Sequence, residues 1–368
     1  MPAVIVAGGG TGGHIFPGIA IARELVERDP RLEVLFVGTQ RGLETKLVPA
    51  AGFRLLTIRS AGITGKRIAA RLAGLALIPV SLWQSFRLLK LHRPVLAIGV
   101  GGYASGPVLA SAALLRVPTL IHEQNFVPGL TNRWLARMVT QVATTFPETV
   151  ARLGGRGVVT GNPVRREFAM PGPRPPHAGA RSLLICGGSQ GARAINRAVC
   201  DALPLLASRG AALRITHQSG ERDLEMVTEA YERAGIQAQV RPFIGDMAGA
   251  MQEADLLVCR AGSTTLAELT AAGRPALLIP FAAATHDHQT FNARKLAAAG
   301  AAVMIPESEL SGASLAAGIG ALLDDPARLA AMGAASRRLG RPEAAARIAD
   351  LCLELMAPER RAAAGGTT

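Results

Sequence analysis

Two glycine-rich segments of the same build, one in each half of the 368-residue chain, carry its clearest chemistry. The first, Gly8-Gly9-Gly10-Thr11-Gly12-Gly13-His14, follows the apolar run Ala3-Val4-Ile5-Val6-Ala7. The second, Gly187-Gly188-Ser189-Gln190-Gly191-Ala192, follows Leu183-Leu184-Ile185-Cys186. Each precedes a stretch with helical patterning, residues 19–27 and 194–207. A strand, a tight glycine turn and a helix N-terminus aim backbone N–H groups at one point, which suits a phosphate or another anion. Two such units predict two α/β domains facing each other across a cleft. That layout fits an enzyme joining a nucleotide-linked donor to a second substrate.

Other anion-binding chemistries fit less well. Gly8, Gly10 and Gly13 satisfy the GxGxxG dinucleotide pattern, but that fingerprint needs an acid for the ribose at the end of the next strand. Here the strand ends Val37-Gly38-Thr39-Gln40, and the second loop does not match the pattern. Neither loop ends in Gly-Lys-Ser/Thr, which excludes a Walker A site. The four cysteines form no CxxC pair and read as buried thiols. His286 and His288 flank Asp287 with no further ligand in view, so no metal and no cofactor is expected.

The elements that must position these loops alternate between strand and helix. Apolar runs mark strands at residues 3–7, 33–37, 54–58, 95–98, 119–121, 141–143 and 158–160. After a Pro/Gly-rich stretch they resume at 182–186, 214–218, 239–242, 256–259, 276–279 and 302–305. This alternation predicts parallel sheets with crossover helices. The linker falls between Gly161 and Gly179, giving domains at 1–165 and 166–340. A helix in 341–358 is expected to pack back on the first domain, followed by an unstructured tail at 362–368. Residues 94–115 carry no charge, but Gly99-Val100-Gly101-Gly102-Tyr103-Ala104-Ser105-Gly106-Pro107 breaks any spanning helix. The N-terminus lacks a charged segment followed by an apolar one, so export is not expected.

Charge is uneven. Residues 1–165 hold 19 Lys/Arg against 7 Asp/Glu, while residues 166–368 are nearly balanced. Ten basic residues and no acid lie between Glu44 and Glu123. Such a half points to a polyanion or an anionic membrane surface. Aromatics are only 4%, and no helix-turn-helix, zinc or RNP-type motif is present, which disfavours nucleic acid. Residues 72–91 set Leu75, Ile78, Leu82, Trp83, Phe86 and Leu89 among basic side chains. The segment reads either as an interfacial patch or as a core-facing helix pair broken at Pro79.

Taken in order, the motifs resemble the MurG family of bacterial UDP-N-acetylglucosamine transferases over nearly the whole chain. The N-terminal matches are Gly8 to His14 with Pro17, the Gly99–Pro107 run, His122-Glu123-Gln124-Asn125 and Gly161-Asn162-Pro163-Val164-Arg165. The C-terminal ones are Gly187 to Ala192, His217-Gln218-Ser219-Gly220, Phe243-Ile244 with Asp246-Met247, Arg260-Ala261-Gly262 through Glu268, and Asp287-His288-Gln289 with Asn292-Ala293. The resemblance implies a GT-B fold, two Rossmann-like domains with the active site between them. It implies an inverting transfer of N-acetylglucosamine from UDP to the 4-hydroxyl of the N-acetylmuramoyl group of lipid I, giving lipid II for peptidoglycan. It further implies a peripheral protein on the cytoplasmic face of the bacterial inner membrane.

Such a displacement needs a base for the acceptor hydroxyl and stabilisation of the departing diphosphate. No DxD-like metal pair stands out, so helix N-termini and neutral donors must supply the stabilisation. His14 is one candidate base, because a helix N-terminus disfavours imidazolium and keeps the ring neutral. Glu123 is the other, and His122 braces the loop. Carried over from the family, Thr11, Gly12 and Gly13 lie near the donor's sugar and diphosphate, and Asn125 near the sugar. Arg165 and Ser189 also contact the donor, and Ile244 meets uracil. Ser263, Thr264, Thr265 and Leu266 face the diphosphate, Ala267 belongs to the same donor-binding set, Glu268 takes the ribose hydroxyls, and Gln289 reads the sugar hydroxyls.

Overall fold

The structure, a computed structural model, describes residues 1–61, 74, 76–169, 181–207, 213–284 and 287–365, with side chains as far as residue 357. The chain divides into two compact units, Met1–Arg165 with Glu343–Thr368, and Arg166–Pro342.

The first unit is built on a parallel sheet of seven strands in the order β3-β2-β1-β4-β5-β6-β7. They are β1 (Ala3–Ala7), β2 (Glu33–Gly38), β3 (Arg54–Thr57), β4 (Leu96–Gly99), β5 (Thr119–Glu123), β6 (Gln141–Thr144) and β7 (Val158–Val159). Helices α1 (Gly12–Arg28), α2 (Glu44–Ala50), α3 (Ile78–His92), α4 (Ser105–Leu114), α5 (Leu130–Leu135) and α6 (Pro147–Arg152) connect them. β1 is apolar on both faces because both are covered. Val4 and Val6 join one core with Ile15, Ile19 and Leu25 of α1. Ala3, Ile5 and Ala7 join the other with Leu89, Val108, Leu109 and Leu135. Each fully buried aliphatic side chain contributes about 1.5–3 kcal/mol.

The second unit holds helix α7 (Arg166–Ala169) and a six-stranded parallel sheet ordered β10-β9-β8-β11-β12-β13. Its strands are β8 (Arg181–Cys186), β9 (Leu213–Gln218), β10 (Ala238–Arg241), β11 (Leu256–Cys259), β12 (Ala276–Leu278) and β13 (Ala302–Met304). The helices are α8 (Arg193–Leu206), α9 (Leu224–Ala234), α10 (Met247–Glu253), α11 (Ser263–Ala272), α12 (His288–Ala298), α13 (Gly312–Leu323) and α14 (Pro326–Leu339). Leu183 and Ile185 face one core and Leu184 and Cys186 the other.

The final helix, α15 (Ala344–Gly365), packs Ile348, Ala349, Cys352 and Met356 into the first unit's core. It runs through most of the stretch expected to be an unstructured tail, because Ala362, Ala363 and Ala364 are the strongest helix formers. All four cysteines are free; Cys186, Cys259 and Cys352 are buried as expected, and Cys200 is half-buried.

Two further expectations change. Helix α1 starts at Gly12, well before residue 19, so His14 lies within its first turn. Gly18 permits this, since a Cβ there would meet Val6 at 3.2 Å and Phe36 at 3.3 Å; the helix lies close on the sheet. Pro79 stands in the first turn of α3, where its missing N–H costs nothing, and a turn at Leu77 separates α3 from the helical residues 74 and 76, so the break falls where the helix-pair reading put it. Leu89 belongs to the core, which removes it from the apolar surface set, and Leu75 lies outside the described residues. Trp83 (58% exposed) and Phe86 (41%) remain outside, with Arg87 4.8 Å from the Trp83 ring centre and Lys90 5.5 Å from that of Phe86. Helix α3 packs on α4 and α4 on α5, where Trp134 is exposed with Arg137 over its ring. The linker stretch 171–179 and His286 fall outside the described residues. No helix among the described residues is long and apolar enough to cross a membrane.

Candidate active site

In an open parallel sheet, ligands bind beyond the carboxyl ends of the strands where the strand order reverses. Sheet one reverses between β1 and β4, and sheet two between β8 and β11. The loops at those points are Gly8–Gly13 with Val100–Ala104, and Gly187–Ala192 with Arg260–Gly262. Both glycine loops therefore stand where the topology places a ligand.

In the first unit, His14 is held by its neighbours. Its Nδ1 lies 3.1 Å from the Val100 carbonyl oxygen and 2.6 Å from the Gln124 side-chain amide. Gly101 makes room for the ring, since a Cβ there would sit 2.5 Å from Nδ1. A carbonyl oxygen only accepts, so its partner nitrogen must carry the proton. In the tautomer whose Nδ1–H donates to Val100, Nε2 keeps the lone pair, and the Gln124 amide, whose nitrogen stands 2.6 Å from Nδ1, must exchange its N and O positions to accept from it. That tautomer is the one a general base requires.

Glu123 is placed differently. It is 2% exposed and accepts from Asn125 N–H (2.9 Å), Asn125 Nδ2 (3.3 Å), Gly129 N–H (3.0 Å) and Asn132 Nδ2 (2.9 Å). Burial pushes its pKa up, against the pull of these donors. With both oxygens turned into the fold, Glu123 braces the loop, a placement that favours His14 over this rival candidate as the base. His122 is also internal. Its Nε2 lies 3.2 Å from the Gly161 carbonyl, and burial lowers its pKa to about 4, so it is neutral. Asn125 is half-buried beside this brace, and the half-buried Arg165 lays its guanidinium 4.7 Å from the ring centre of Phe16 on α1.

In the second unit, a buried amide ties two loops together. Gln218 (2% exposed) donates to the Gly188 carbonyl at 2.8 Å and accepts from Ile244 N–H at 2.8 Å. The glycine loop is packed against the next one, for a Cβ at Gly191 would lie 1.9 Å from the Ser219 carbonyl oxygen. Behind it, Asn196 donates to that carbonyl and faces His217, whose other nitrogen meets Tyr231. Ser189 is exposed at the loop's tip.

Helix α11 starts on Gly262 and α8 on Ala192, neither with a side-chain cap; α1 starts on Thr11, whose hydroxyl makes no cap bond. By contrast, Asp246, Ser311 and Asp325 cap the first turns of α10, α13 and α14. The helices that begin beside the glycine loops and after β11 are among those whose capping residue makes no side-chain bond to the first turn, and a helix N-terminus suits an anion. Ser263 and Thr265 are half-buried on the first turn of α11, with Thr264 buried; Leu266, Ala267 and the buried Glu268 continue it.

Gln289 on α12 accepts from Phe281 N–H at 3.0 Å through Oε1, which leaves its amide N–H groups to a ligand. Arg260 holds the same turn: it donates to the Ile279 and Pro280 carbonyls, pairs with Glu307 at 2.7 Å and stacks under Phe281. Among the described residues no group of three or more His, Cys, Asp or Glu side chains could hold a metal ion.

Within the first unit Gln124 meets His14, which follows Thr11, Gly12 and Gly13; within the second Gln218 ties the loop that carries Ser189 to Ile244, Ser263 to Glu268 follow the neighbouring strand β11, and Gln289 lies on α12 after β12. Glu44, Gln218 and Glu307 have structural parts that their local sequence does not announce. A lone carboxylate before Leu47-Val48 is the one signal Glu44 offers.

The glycosyltransferase family 28 N-terminal domain matches residues 4–144, and the family 28 C-terminal domain matches residues 182–348. A curated relative from Anaeromyxobacter sp. (strain Fw109-5), named UDP-N-acetylglucosamine–N-acetylmuramyl-(pentapeptide) pyrophosphoryl-undecaprenol N-acetylglucosamine transferase, is 52% identical over 355 residues, covering 96% of this chain and 93% of its own. One of the same name from Geobacter sulfurreducens is 48% identical, covering 97% and 99%. The crystal structure of Acinetobacter baumannii MurG superposes with a TM-score of 0.76 at 33% identity, over 96% of this chain and all of the other. The calicheamicin glycosyltransferase CalG4, at 16% identity and a TM-score of 0.67, shares the fold. With both domain models matched in order and half of all positions identical to named relatives, this chain is a GT-B glycosyltransferase of family 28 and belongs to the MurG family.

Proposed function

We propose that this chain transfers N-acetylglucosamine from UDP-N-acetylglucosamine to the 4-hydroxyl of the N-acetylmuramoyl group of lipid I, with inversion, yielding lipid II and UDP. The observation that carries the reading is the placement of His14 in the first turn of α1 with Nδ1 3.1 Å from the Val100 carbonyl: the tautomer that donates there takes the acceptor's proton on Nε2. As the hydroxyl oxygen bonds to the sugar C1, the C1–O bond to the diphosphate breaks and UDP carries away the electron pair. Glycine-loop N–H groups at Gly188 to Gln190 and the first turn of α11, with Ser263, Thr264 and Thr265, meet that charge. Glu268 accepts from the ribose hydroxyls and Gln289 donates to the sugar through its amide. Ile244 offers uracil its carbonyl, its N–H being held by Gln218. Thr11, Gly12, Gly13, Asn125, Arg165 and Ser189 complete the donor contacts.

The same reading assigns the exposed Trp83, Phe86 and Trp134, with Arg87, Lys90 and Arg137 over their rings, to an anionic membrane surface. The protein then works peripherally on the cytoplasmic face of the inner membrane, in peptidoglycan synthesis and so in cell shape and division. A radiolabelled transfer assay on a lipid I analogue tests the reaction, comparing UDP-N-acetylglucosamine with UDP-glucose and UDP-galactose. Preference for the first, lost in His14→Gln, is expected; equal use of all three, or an active His14→Gln, overturns it.

A further inference from the structure

The two glycine loops share a build but differ in what fills them. In the second, Gly188, Ser189 and Gln190 are exposed. In the first, the space is taken by a side chain of the protein itself. Glu44, the first residue of α2, is 1% exposed, and its carboxylate reaches back 34 residues to the loop. Oε2 accepts from Gly10 N–H at 2.8 Å; Oε1 accepts from Thr39 N–H and the Thr39 hydroxyl, each at 2.8 Å. Among the described residues it has no Lys or Arg partner, so backbone and hydroxyl dipoles alone hold the charge. Burial would raise its pKa, yet the Gly10 and Thr39 donors outweigh it and keep the group below the ordinary carboxylate range.

The surrounding sequence is shaped to admit this carboxylate. A Cβ at Gly9 would lie 2.4 Å from it, one at Gly42 1.9 Å, and one at Gly38 2.6 Å from Glu44 Cγ. A Cβ at Gly102 would lie 2.2 Å from the Gly9 carbonyl oxygen, so the loop is also held by backbone from the β4 side. In a dinucleotide-binding fold the N–H groups of such a loop would meet a pyrophosphate. Here the Gly10 N–H is already spent.

We propose that Glu44 is a positioning residue for transfer: its carboxylate is a built-in anion that fixes Gly9 and Gly10 and so sets the first turn of α1, which carries His14. The catalytic half of this inference rests on the reading of His14 as base. It follows that the Gly10 N–H serves no substrate phosphate. The two oxygens face donors only, so a glutamine must turn its NH₂ against one of them, and an aspartate is a methylene too short.

The test uses the full chain with Glu44→Gln and Glu44→Ala, read by steady-state kinetics and by amide hydrogen exchange. In both variants exchange over residues 8–14 is expected to rise about tenfold or more while that over 187–192 stays unchanged. The kcat falls by about tenfold or more, as for a misplaced base, with KM for UDP-N-acetylglucosamine within about twofold. Formate or acetate should restore kcat of Glu44→Ala saturably, an effect a general loss of stability does not produce. If Glu44→Ala does not fold, Glu44→Gln decides; failure of both to fold overturns the proposal by making Glu44 a residue of general stability. An unchanged kcat in a folded variant also overturns it. If the parent chain transfers no sugar, the proposed function fails, while the exchange data and their response to formate still decide whether Glu44 anchors the loop.

Discussion

Replacing Gln218 by leucine removes a buried side chain that joins the second glycine loop to the Ile244 segment. The variant keeps the volume and loses two hydrogen bonds of 2.8 Å. Ile244 is 5% exposed, so its N–H is left buried and unsatisfied, at a cost of about 1–3 kcal/mol. Gly188 is exposed, so its carbonyl can turn to water, and that loss is about 0.5–1.5 kcal/mol. Together the second unit should lose about 2–4 kcal/mol of stability by denaturant titration. If half of this is the ordering of the ligand loops, UDP affinity falls by about tenfold or more, since 1.4 kcal/mol is a factor of ten. Gln218→Glu separates the two ends. It still accepts from Ile244 N–H but sets a carboxylate oxygen against the Gly188 carbonyl. Calorimetry should find uridine binding retained and UDP binding weakened in Gln218→Glu, and both weakened in Gln218→Leu. If Gln218→Leu unfolds at the same denaturant concentration and binds UDP as before, the bridge carries no energy and the reasoning fails.

Three further outcomes are expected. His217 is buried with a pKa lowered from 6.5 to about 4 by burial, so the fold holds it neutral; stability is complete above about pH 6.5 and declines as pH falls toward 4. At about 1.4 kcal/mol per unit that loss is about 3 kcal/mol, and urea titrations from pH 7.5 to 4 should show it diminished in His217→Gln. Gln124→Glu puts a carboxylate beside His14 Nδ1, stabilises the imidazolium and should move the acidic limb of the kcat profile up by about one unit or more; an unmoved limb refutes the tautomer argument. Vesicle co-sedimentation should require anionic lipid, weaken at high salt and drop in the doubly substituted Trp83→Ser, Phe86→Ser protein, whereas equal binding to neutral vesicles refutes the surface assignment.

The strands were legible because parallel strands covered on both faces become unbroken apolar runs, and each run expected from sequence lies within two residues of an observed strand. The glycine loops were legible for the same reason, as the turns between such runs and the next helix. Long-range polar partners were not. Glu44 opens a helix, where any acid is locally favourable, and nothing near it indicates that its oxygens belong to Gly10. Gln124 meets His14 across 110 residues, and the amide of Gln218 joins Gly188 to Ile244 across 30 and 26. Glu123 shows the converse: its type suggested acid–base chemistry, and only the four donors around it assign it a brace.

The return of α15 to the first unit bears on how the chain is made. Residues 166–342 are contiguous, so the second unit can close as soon as they leave the ribosome, although they are synthesised after residues 1–165. The first unit cannot. The core on one side of its sheet lacks Ile348, Ala349, Cys352 and Met356 until residues 344–356 emerge, so that α1 and β4 wait with that core only partly covered. The half that is translated first is thus the half that matures last, its core incomplete until residues 344–356 have emerged. A ribosome stalled before residue 343 should leave a folded second unit behind an unfinished first one.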